Sequence, residues 1–269
     1  VEVYNLFKFP ALTDRGGPFH AHKVAATIRQ LRDLKLKIPC FDTSVDLSSD
    51  PEALGTLKDM LETARNAQVP YVVACALQEN EELVGETLEK LLPVAEAAGV
   101  TLLLKTSGIY ADTARLRSML ESFASDWLGA LWDMHHPYRD FGESADATIK
   151  NLGTYVKHVH LRDSDDNGDY QLIGEGNMPI PDMIRALGSI NYDGFISLEW
   201  KPEWMEDLQD REIIFPYYVN YMSRFHNTRT RKKSLYYNHD GSGQYVWKKN
   251  DLIDLTFPQV LDRMVEEFP

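Results

Sequence analysis

Short apolar runs alternate with longer amphipathic stretches along most of the chain. Seven runs are rich in β-branched and aromatic residues: VEVYNLF from Val1, IPCFDTSV from Ile38, YVVACAL from Tyr71, TLLLKTS from Thr101, GALWDMH from Gly129, VKHVHLRD from Val156 and FISLEW from Phe195. The stretches between them have helical period, such as HKVAATIRQLRDLK, PEALGTLKDMLETARNA, ENEELVGETLEKLLPVAEAAG and ADTARLRSMLESFA. Strands that alternate with helices predict a parallel sheet built from βα units.

The number of strand-like runs predicts a barrel with one unit missing. A closed barrel of this kind has eight strands, each followed by a helix. The chain begins inside a strand-like run, so we expect the first βα unit to lie upstream of it. The predicted fold is therefore α/β, a parallel (β/α)8-type barrel that lacks its first βα unit, over residues 1–226.

The pattern changes after His226. A polar and basic stretch (NTRTRKKS) and a glycine-containing turn (NHDGSGQY) predict a linker over residues 227–255. The segment LTFPQVLDRMVEEFP predicts a further helix or domain over residues 256–269, with Thr256 as its N-cap and Pro258 in its first turn. Two interpretations stay open: this helix begins a further part of a longer chain, or it docks on the barrel and completes it.

Composition narrows the classes of partner. The 269 residues, 43% of them hydrophobic, are enough for one large core. The 41 acidic and 28 basic residues give a formal charge of −13, which repels a phosphate backbone, so we expect no nucleic acid partner. No apolar run approaches the roughly 20 residues that a membrane span needs, so we expect no membrane partner. The composition is compatible with a homo-oligomer.

The two cysteines indicate the compartment. Cys40 and Cys75 each lie inside an apolar run, which predicts buried thiols rather than a disulfide. The amino terminus carries no charged and then apolar signal pattern. We therefore expect a cytoplasmic protein.

Polar side chains cluster near the carboxyl ends of the last three predicted strands, where the catalytic residues of β/α barrels lie. They are Asp133 and His136, then His158, His160 and Arg162, and finally Glu199 and Lys201. Taken alone, each has a structural explanation as a helix cap or a hydrogen-bonded core residue. Their coincidence on three successive strands favours a site, because polar groups in an apolar strand are costly unless they are paired or bind a metal. Asp, His and Glu together suit a divalent ion such as Mn²⁺, Mg²⁺, Co²⁺ or Zn²⁺.

Three of these side chains have open alternatives. Alternation along the strand places His158 on the same face as His160, as a substrate contact or simply a neighbour. Arg162 and Lys201 either bind an anionic substrate group or pair with Asp163 and Glu203, respectively.

The segments WDMHHPYR, HVHLRDS, LIGEGNMPI and YDGFISLEW together resemble the xylose isomerase-like barrel superfamily, which includes ketose 3-epimerases, inosose dehydratases and sugar phosphate isomerases. The resemblance covers about residues 1–225. It implies that Asp133, His160 and Glu199 bind a divalent metal and that His136 contacts a sugar-like or sugar phosphate substrate. It also implies that Glu199 is a catalytic acid/base group.

One position departs from the family pattern. Where the family has a glutamate that is both a metal ligand and a second acid/base group, the segment TLLLKTSG has Lys105. Its ammonium could take the place of the metal by bridging Asp133 and Glu199, it could act as a catalytic base, or catalysis could have been lost. Whether a metal is bound therefore stays open.

Two functions follow as hypotheses. The first is a sugar isomerase or epimerase, or a related lyase, that moves a proton on a small polyhydroxylated carbonyl compound with the help of a metal. The alternative is a catalytically impaired barrel, with Lys105 in place of the ligand glutamate, that serves as a ligand-binding or scaffold domain of a fused adenylate-forming ligase. LTFPQVLDRMVEEFP resembles the opening helix of an AMP-forming acyl-ligase domain. A third hypothesis, an endonuclease IV-like DNA-repair barrel, fits the fold but neither the acidic composition nor the small number of histidine and carboxylate ligands available for a metal cluster.

Overall fold

The computed structural model describes residues 2–3, 12, 16–200, 211–226, 238–239 and 245–246. Contacts divide the chain into two compact units, Val1–Tyr218 and Val219–Pro269. The predicted helix over residues 256–269 lies outside the described residues, and so does most of the predicted linker over residues 227–255. The predicted division at residues 226 and 255 therefore stays a prediction.

Ten strands are found among the described residues. In chain order they are β1 (Cys40–Asp46), β2 (Tyr71–Cys75), β3 (Thr101–Lys105), β4 (Leu128–Asp133), β5 (Val156–Leu161), β6 (Asp163–Ser164), β7 (Tyr170–Gln171), β8 (Ile196–Leu198), β9 (Asn238–His239) and β10 (Tyr245–Val246). Six of them form one parallel sheet in the order β1-β2-β3-β4-β5-β8. The strands β6 and β7 form one antiparallel pair. The strands β9 and β10, at the two ends of the segment NHDGSGQY, form another.

The parallel sheet confirms the predicted fold class and six of the seven predicted strands. The seventh, the run from Val1, is represented among the described residues by a single parallel bridge between Val3 and Phe41. Asp42 donates its backbone N–H to the carbonyl oxygen of Val3, so this segment lies beside β1 on the edge that β2 leaves free. Residues 1 and 4–7 of the run lie outside the described residues.

Eight helices are found in the described part of the chain. They are α1 (Val24–Asp33), α2 (Ala53–Ala67), α3 (Glu81–Ala98), α4 (Thr113–Phe123), α5 (His135–Arg139), α6 (Ala145–Leu152), α7 (Ile180–Ser189) and α8 (Arg211–His226). The first four match the predicted helices. Asn80 and Asp112 accept backbone N–H groups at the starts of α3 and α4, and Gly99 ends α3 with a φ of 65°, a conformation that glycine adopts without strain.

The barrel interior is built in layers that set the height of the site. Cys40, Val73, Leu103 and Leu131 form a buried apolar cluster contributed by β1 to β4. Side chains two residues further along a strand point to the same face, so the next layer toward the carboxyl ends holds polar residues on β3 and β4. Each apolar side chain buried in the lower layer contributes about 1.5–3 kcal/mol to folding. The polar layer therefore lies directly above a packed and stabilising apolar layer.

Both cysteines are buried free thiols, as predicted. Cys40 begins β1 and Cys75 ends β2. Among the helices that the structure describes, no stretch is both long and apolar enough to cross a bilayer.

Candidate active site at the carboxyl ends of the strands

Lys105, at the end of β3, lies between two acidic side chains. Its Nζ is 3.2 Å from Asp133 Oδ2 and 2.9 Å from Glu199 Oε1, and its side chain is only 11% exposed. Burial by itself would lower the pKa of Lys105, but the carboxylates of Asp133 and Glu199 outweigh burial and raise the pKa above its ordinary value. This is the contact that the ion-pair interpretation of Lys105 requires, and it makes the lysine a fixed cation.

Arg162 supplies a second buried cation to the same carboxylates. Its Nη1 donates to Glu199 Oε2 at 3.0 Å, and its Nη2 lies 3.4 Å from Asp133 Oδ2. The guanidinium also lies over the ring of Tyr170, 5.2 Å from the ring centroid. The sequence left two roles open for Arg162, binding an anionic substrate group or pairing with Asp163. In the structure the Asp163 carboxylate instead accepts backbone N–H groups.

The two carboxylates are held in their charged form. Burial would raise the pKa of Asp133, but Arg162 and Lys105 lower it to about 2. Burial likewise opposes ionisation of Glu199, and Lys105 and His160 nevertheless bring its pKa well below the ordinary value. Glu199 is therefore a carboxylate under all ordinary conditions, which permits a role as a proton acceptor.

His136 lies at the rim, with a side chain that is 26% exposed. Its Nδ1 contacts Asp140 Oδ2, and its Nε2 accepts a hydrogen bond from Arg162 Nη2 at 2.7 Å. Since Nε2 accepts, the proton of this neutral tautomer is on Nδ1 and is donated to Asp140. The Nε2 atom also lies 3.7 Å from Asp133 Oδ2, so His136 belongs to the same cluster.

His160 turns away from Lys105 toward a residue that the sequence analysis missed. Its Nε2 is 2.7 Å from Glu2 Oε1, whereas its Nδ1 is 3.8 Å from Glu199 Oε2. Burial would lower the pKa of His160, but the nearby carboxylates of Glu2 and Glu199 raise it to about 10. His158 shares this partner, with its Nε2 3.2 Å from Glu2 Oε2 and 2.9 Å from Ser197 Oγ.

Two acidic residues of the interior were not predicted. Glu2 stands between two valines in the first strand-like run, and a carboxylate in that position is the signal that could have found it. Asp42 on β1 is 4% exposed and contributes to the raised pKa of Lys105. Lys201, the remaining predicted substrate contact, lies outside the described residues.

The predicted triad of Asp133, His160 and Glu199 does not fit a divalent ion. Asp133 and Glu199 both interact with the cations of Lys105 and Arg162. A divalent ion between the two carboxylates would lie next to the ammonium of Lys105, which would repel it strongly. Three groups of side chains among the described residues have donor atoms close enough for an ion, and none of them contains Asp133. They are Glu2, Cys40, His158 and His160; Asp42, His160 and Glu199; and His135, His136 and Asp140.

Asp163 fixes the loop that follows the site. Its carboxylate, 1% exposed, accepts the backbone N–H groups of Gly174, Gly176 and Met178 at 2.8, 3.1 and 3.2 Å. A Cβ at position 176 would collide with this carboxylate, so a glycine is required there. The segment LIGEGNMPI therefore has a structural role beside Arg162.

Comparison with known proteins identifies the family. A family model described as a xylose isomerase-like TIM barrel matches residues 4–214. The chain belongs to this family. The described residues include six parallel strands of such a barrel, with polar residues at their carboxyl ends.

Relatives of this xylose isomerase-like chain are sugar isomerases and epimerases. It is 23% identical over 230 residues to an inosose isomerase of Bacillus velezensis, which covers 76% of this chain and 79% of that protein. It is 27% identical over 130 residues to fructoselysine 3-epimerase of Escherichia coli O157:H7, where the match spans 46% of this chain and only 47% of that epimerase. The fold is also that of a solved IOLI protein with a bound zinc atom, at a TM-score of 0.64, 20% identity and coverage of 76% of this chain and 81% of that one.

His135 gives the barrel a specific pH dependence. Burial, with a smaller contribution from Arg162, lowers the pKa of His135 from 6.5 to about 4. Between these pH values the unfolded chain binds a proton that the folded chain does not, so the free energy of unfolding falls as the pH drops from 6.5 to 4. The expected loss is on the order of 3 kcal/mol. Urea unfolding of His135→Gln should show a shallower acid-side slope than the parent.

The exposed His22 provides the matched control. His22→Gln should leave the slope of the parent protein unchanged. Equal slopes for the parent and His135→Gln between pH 6.5 and 4 would show that His135 is not held neutral by burial.

Proposed function

We propose that this barrel catalyses proton transfer on a small polyhydroxylated carbonyl compound, the reaction class of sugar isomerases and epimerases, with Lys105 as the electrophilic group. The observation that carries the proposal is the position of Lys105 Nζ, 3.2 Å from Asp133 and 2.9 Å from Glu199. Membership of the xylose isomerase-like family supports the reaction class. No metal at the mouth is required.

The cations of the mouth would stabilise the developing negative charge. A proton next to a carbonyl becomes acidic only when the enolate oxygen is stabilised as it forms. Lys105 and Arg162 are buried, charged and already fixed by Asp133 and Glu199, so they need little reorganisation to interact with that oxygen. One donor of this kind typically contributes about 10²–10³ in rate.

Glu199 is the proposed base. Its two oxygens accept hydrogen bonds from Lys105 and Arg162, which fix the carboxylate at the mouth. Its low pKa makes it a weak base, so we expect slow turnover. Because Lys105 stands where the family has the second acid/base group, the site retains one base, and this favours transfer on one face of the substrate over inversion, which needs a group on each face.

His136, Arg162 and Lys201 are the proposed substrate contacts. His136 lies at the rim with its Nε2 directed at Arg162, and a hydroxyl or carbonyl oxygen entering there would compete with Nε2 for the guanidinium N–H. The named substrates of the relatives, inosose and fructoselysine, set the class of compounds to test.

A second function is favoured by the same contacts. Asp133 and Glu199 already neutralise Lys105 and Arg162, and a substrate must compete with them for both cations. The barrel could therefore bind a sugar-like ligand without turning it over, as the ligand-binding or scaffold part of a fused ligase.

Exchange of carbon-bound hydrogen in D₂O, followed by proton NMR, separates these functions. We expect exchange next to the carbonyl of at least one inosose or ketose, unaffected by a chelator, and at least about 100-fold slower in Glu199→Gln. Glu86→Gln on the exposed face of α3 is the matched control and should exchange like the parent. Binding by calorimetry without exchange in the parent would favour the scaffold function, and exchange that a chelator abolishes would contradict the role of Lys105.

A further inference from the structure

Four side chains of metal-binding type meet inside the barrel, between the apolar layer that contains Cys40 and the polar layer at the mouth. They are Glu2, Cys40, His158 and His160, and one donor atom of each lies within 4.8 Å of those of the others. They come from the segment beside β1, from the start of β1 and from β5. We propose that these four residues form a structural zinc site, which is independent of the proposed function.

The geometry already directs the donor atoms at one another. The two imidazoles stand nearly perpendicular, with ring centroids 5.6 Å apart and an angle of 86° between the planes. Their Nε2 atoms approach the two oxygens of the Glu2 carboxylate, at 3.2 Å for His158 and 2.7 Å for His160. Bonds of about 2.0–2.3 Å in a tetrahedral site place the donor atoms roughly 3.3–3.8 Å apart, so the His158 distance is already close to this range and the His160 distance would lengthen when an ion binds.

The donor set selects zinc. A thiolate, two imidazole nitrogens and a carboxylate oxygen suit a borderline cation, whereas Mg²⁺ and Ca²⁺ prefer oxygen alone. The charges of a zinc ion, Cys40 as thiolate and Glu2 as carboxylate sum to zero when both imidazoles are neutral. Four protein donors also leave no open position, and a closed site of this kind is structural rather than catalytic.

The surroundings are suited to a structural ion. Cys40 packs with Val73, Leu103 and Leu131 in the apolar layer, which excludes water and strengthens the interaction of an ion with its ligands. A cavity of about 660 Å³, lined by the starts of several strands, reaches His158. The zinc would tie the segment at Glu2 to β5 across the barrel.

This site can be distinguished from a metal at the mouth residue by residue. Glu2, Cys40 and His158 belong only to the interior site, whereas Asp133 and Glu199 belong only to the mouth. The chain also offers a matched thiol control, because Cys75 is also buried but is not among the donors.

The test is the zinc content of the purified protein by native mass spectrometry, together with the absorption spectrum of its Co²⁺ form. We expect about one zinc per chain in the parent, in Cys75→Ser and in Asp133→Asn, and at least tenfold weaker binding in Cys40→Ser and His158→Gln. The Co²⁺ form of the parent and of Cys75→Ser should show a thiolate-to-cobalt charge-transfer band that Cys40→Ser lacks.

Should Cys40→Ser fail to fold, the Co²⁺ spectrum of the parent decides, since Cys40 and Cys75 are the only thiols and Cys75→Ser tells them apart. A parent protein without stoichiometric zinc, or a Co²⁺ form without the thiolate band, would overturn the proposal. Loss of zinc in Asp133→Asn together with its retention in Cys40→Ser would place the metal at the mouth instead. Activity in the D₂O exchange assay affects neither conclusion.

Discussion

Lys105→Met is expected to destabilise the barrel by about 3–5 kcal/mol, because the substitution leaves two buried carboxylates with one cation fewer. Asp133 is fully buried and Glu199 nearly so, and Lys105 lies within 3.2 Å of both. Methionine matches the lysine stem in length, so the change removes the charge with little loss of packing. Urea unfolding monitored by circular dichroism gives the difference in free energy.

The same substitution should slow proton transfer at least about 100-fold, because it removes the proposed electrophile. Lys90→Met on the exposed face of α3 is the matched control and should change neither stability nor rate. A double-mutant cycle with Asp133→Asn tests the pair itself: the second substitution should recover part of the lost stability, because it removes one uncompensated charge. A loss below about 1 kcal/mol in Lys105→Met would contradict the buried ion pair.

Asp163→Ala is expected to lower the free energy of unfolding by about 3–5 kcal/mol, since it leaves four backbone N–H groups without their acceptor. One of these groups belongs to Ser164, and the other three belong to Gly174, Gly176 and Met178, in the segment that joins β7 to α7. Amide hydrogen exchange at these three positions should accelerate far more than exchange in β2 or β3.

Two further variants serve as controls for Asp163→Ala. Asp163→Asn keeps one acceptor oxygen and should lose less stability than the alanine variant. Asp126→Ala, at an exposed position before β4, should lose almost none. If Asp163→Ala and Asp126→Ala were equally stable, the loop would not depend on the carboxylate.

The fold followed from the pattern of apolar residues. Segments such as TLLLKTS and YVVACAL are apolar on both faces because helices cover one side and the barrel interior the other, and such runs are typical of parallel strands. The convergence of Lys105, Asp133 and Glu199 also followed, because residues at the carboxyl ends of parallel strands meet at one mouth.

The orientation of His160 did not follow from the sequence. Its Nε2 is directed at Glu2, 158 residues earlier in the chain, and no local pattern indicates a partner at that separation. Asp42 was not predicted, because it lies on β1, away from the last three strands at whose ends the other polar side chains cluster. The pairing of Arg162 with Asp133 and Glu199 was not predicted either, because it depends on the loop that Asp163 holds, and loop conformation is set by tertiary hydrogen bonds.

The most direct test of Lys105 as the cation of the mouth is a crystal structure of the protein soaked in Mn²⁺, with anomalous scattering recorded to locate the ion. We expect no manganese peak among Asp133, His160 and Glu199, and we expect Lys105 Nζ within hydrogen-bonding distance of both carboxylates. In Lys105→Glu, which restores the family's residue, a peak should occur there. A manganese ion bound by Asp133 and Glu199 in the parent, with the lysine displaced, would contradict the account.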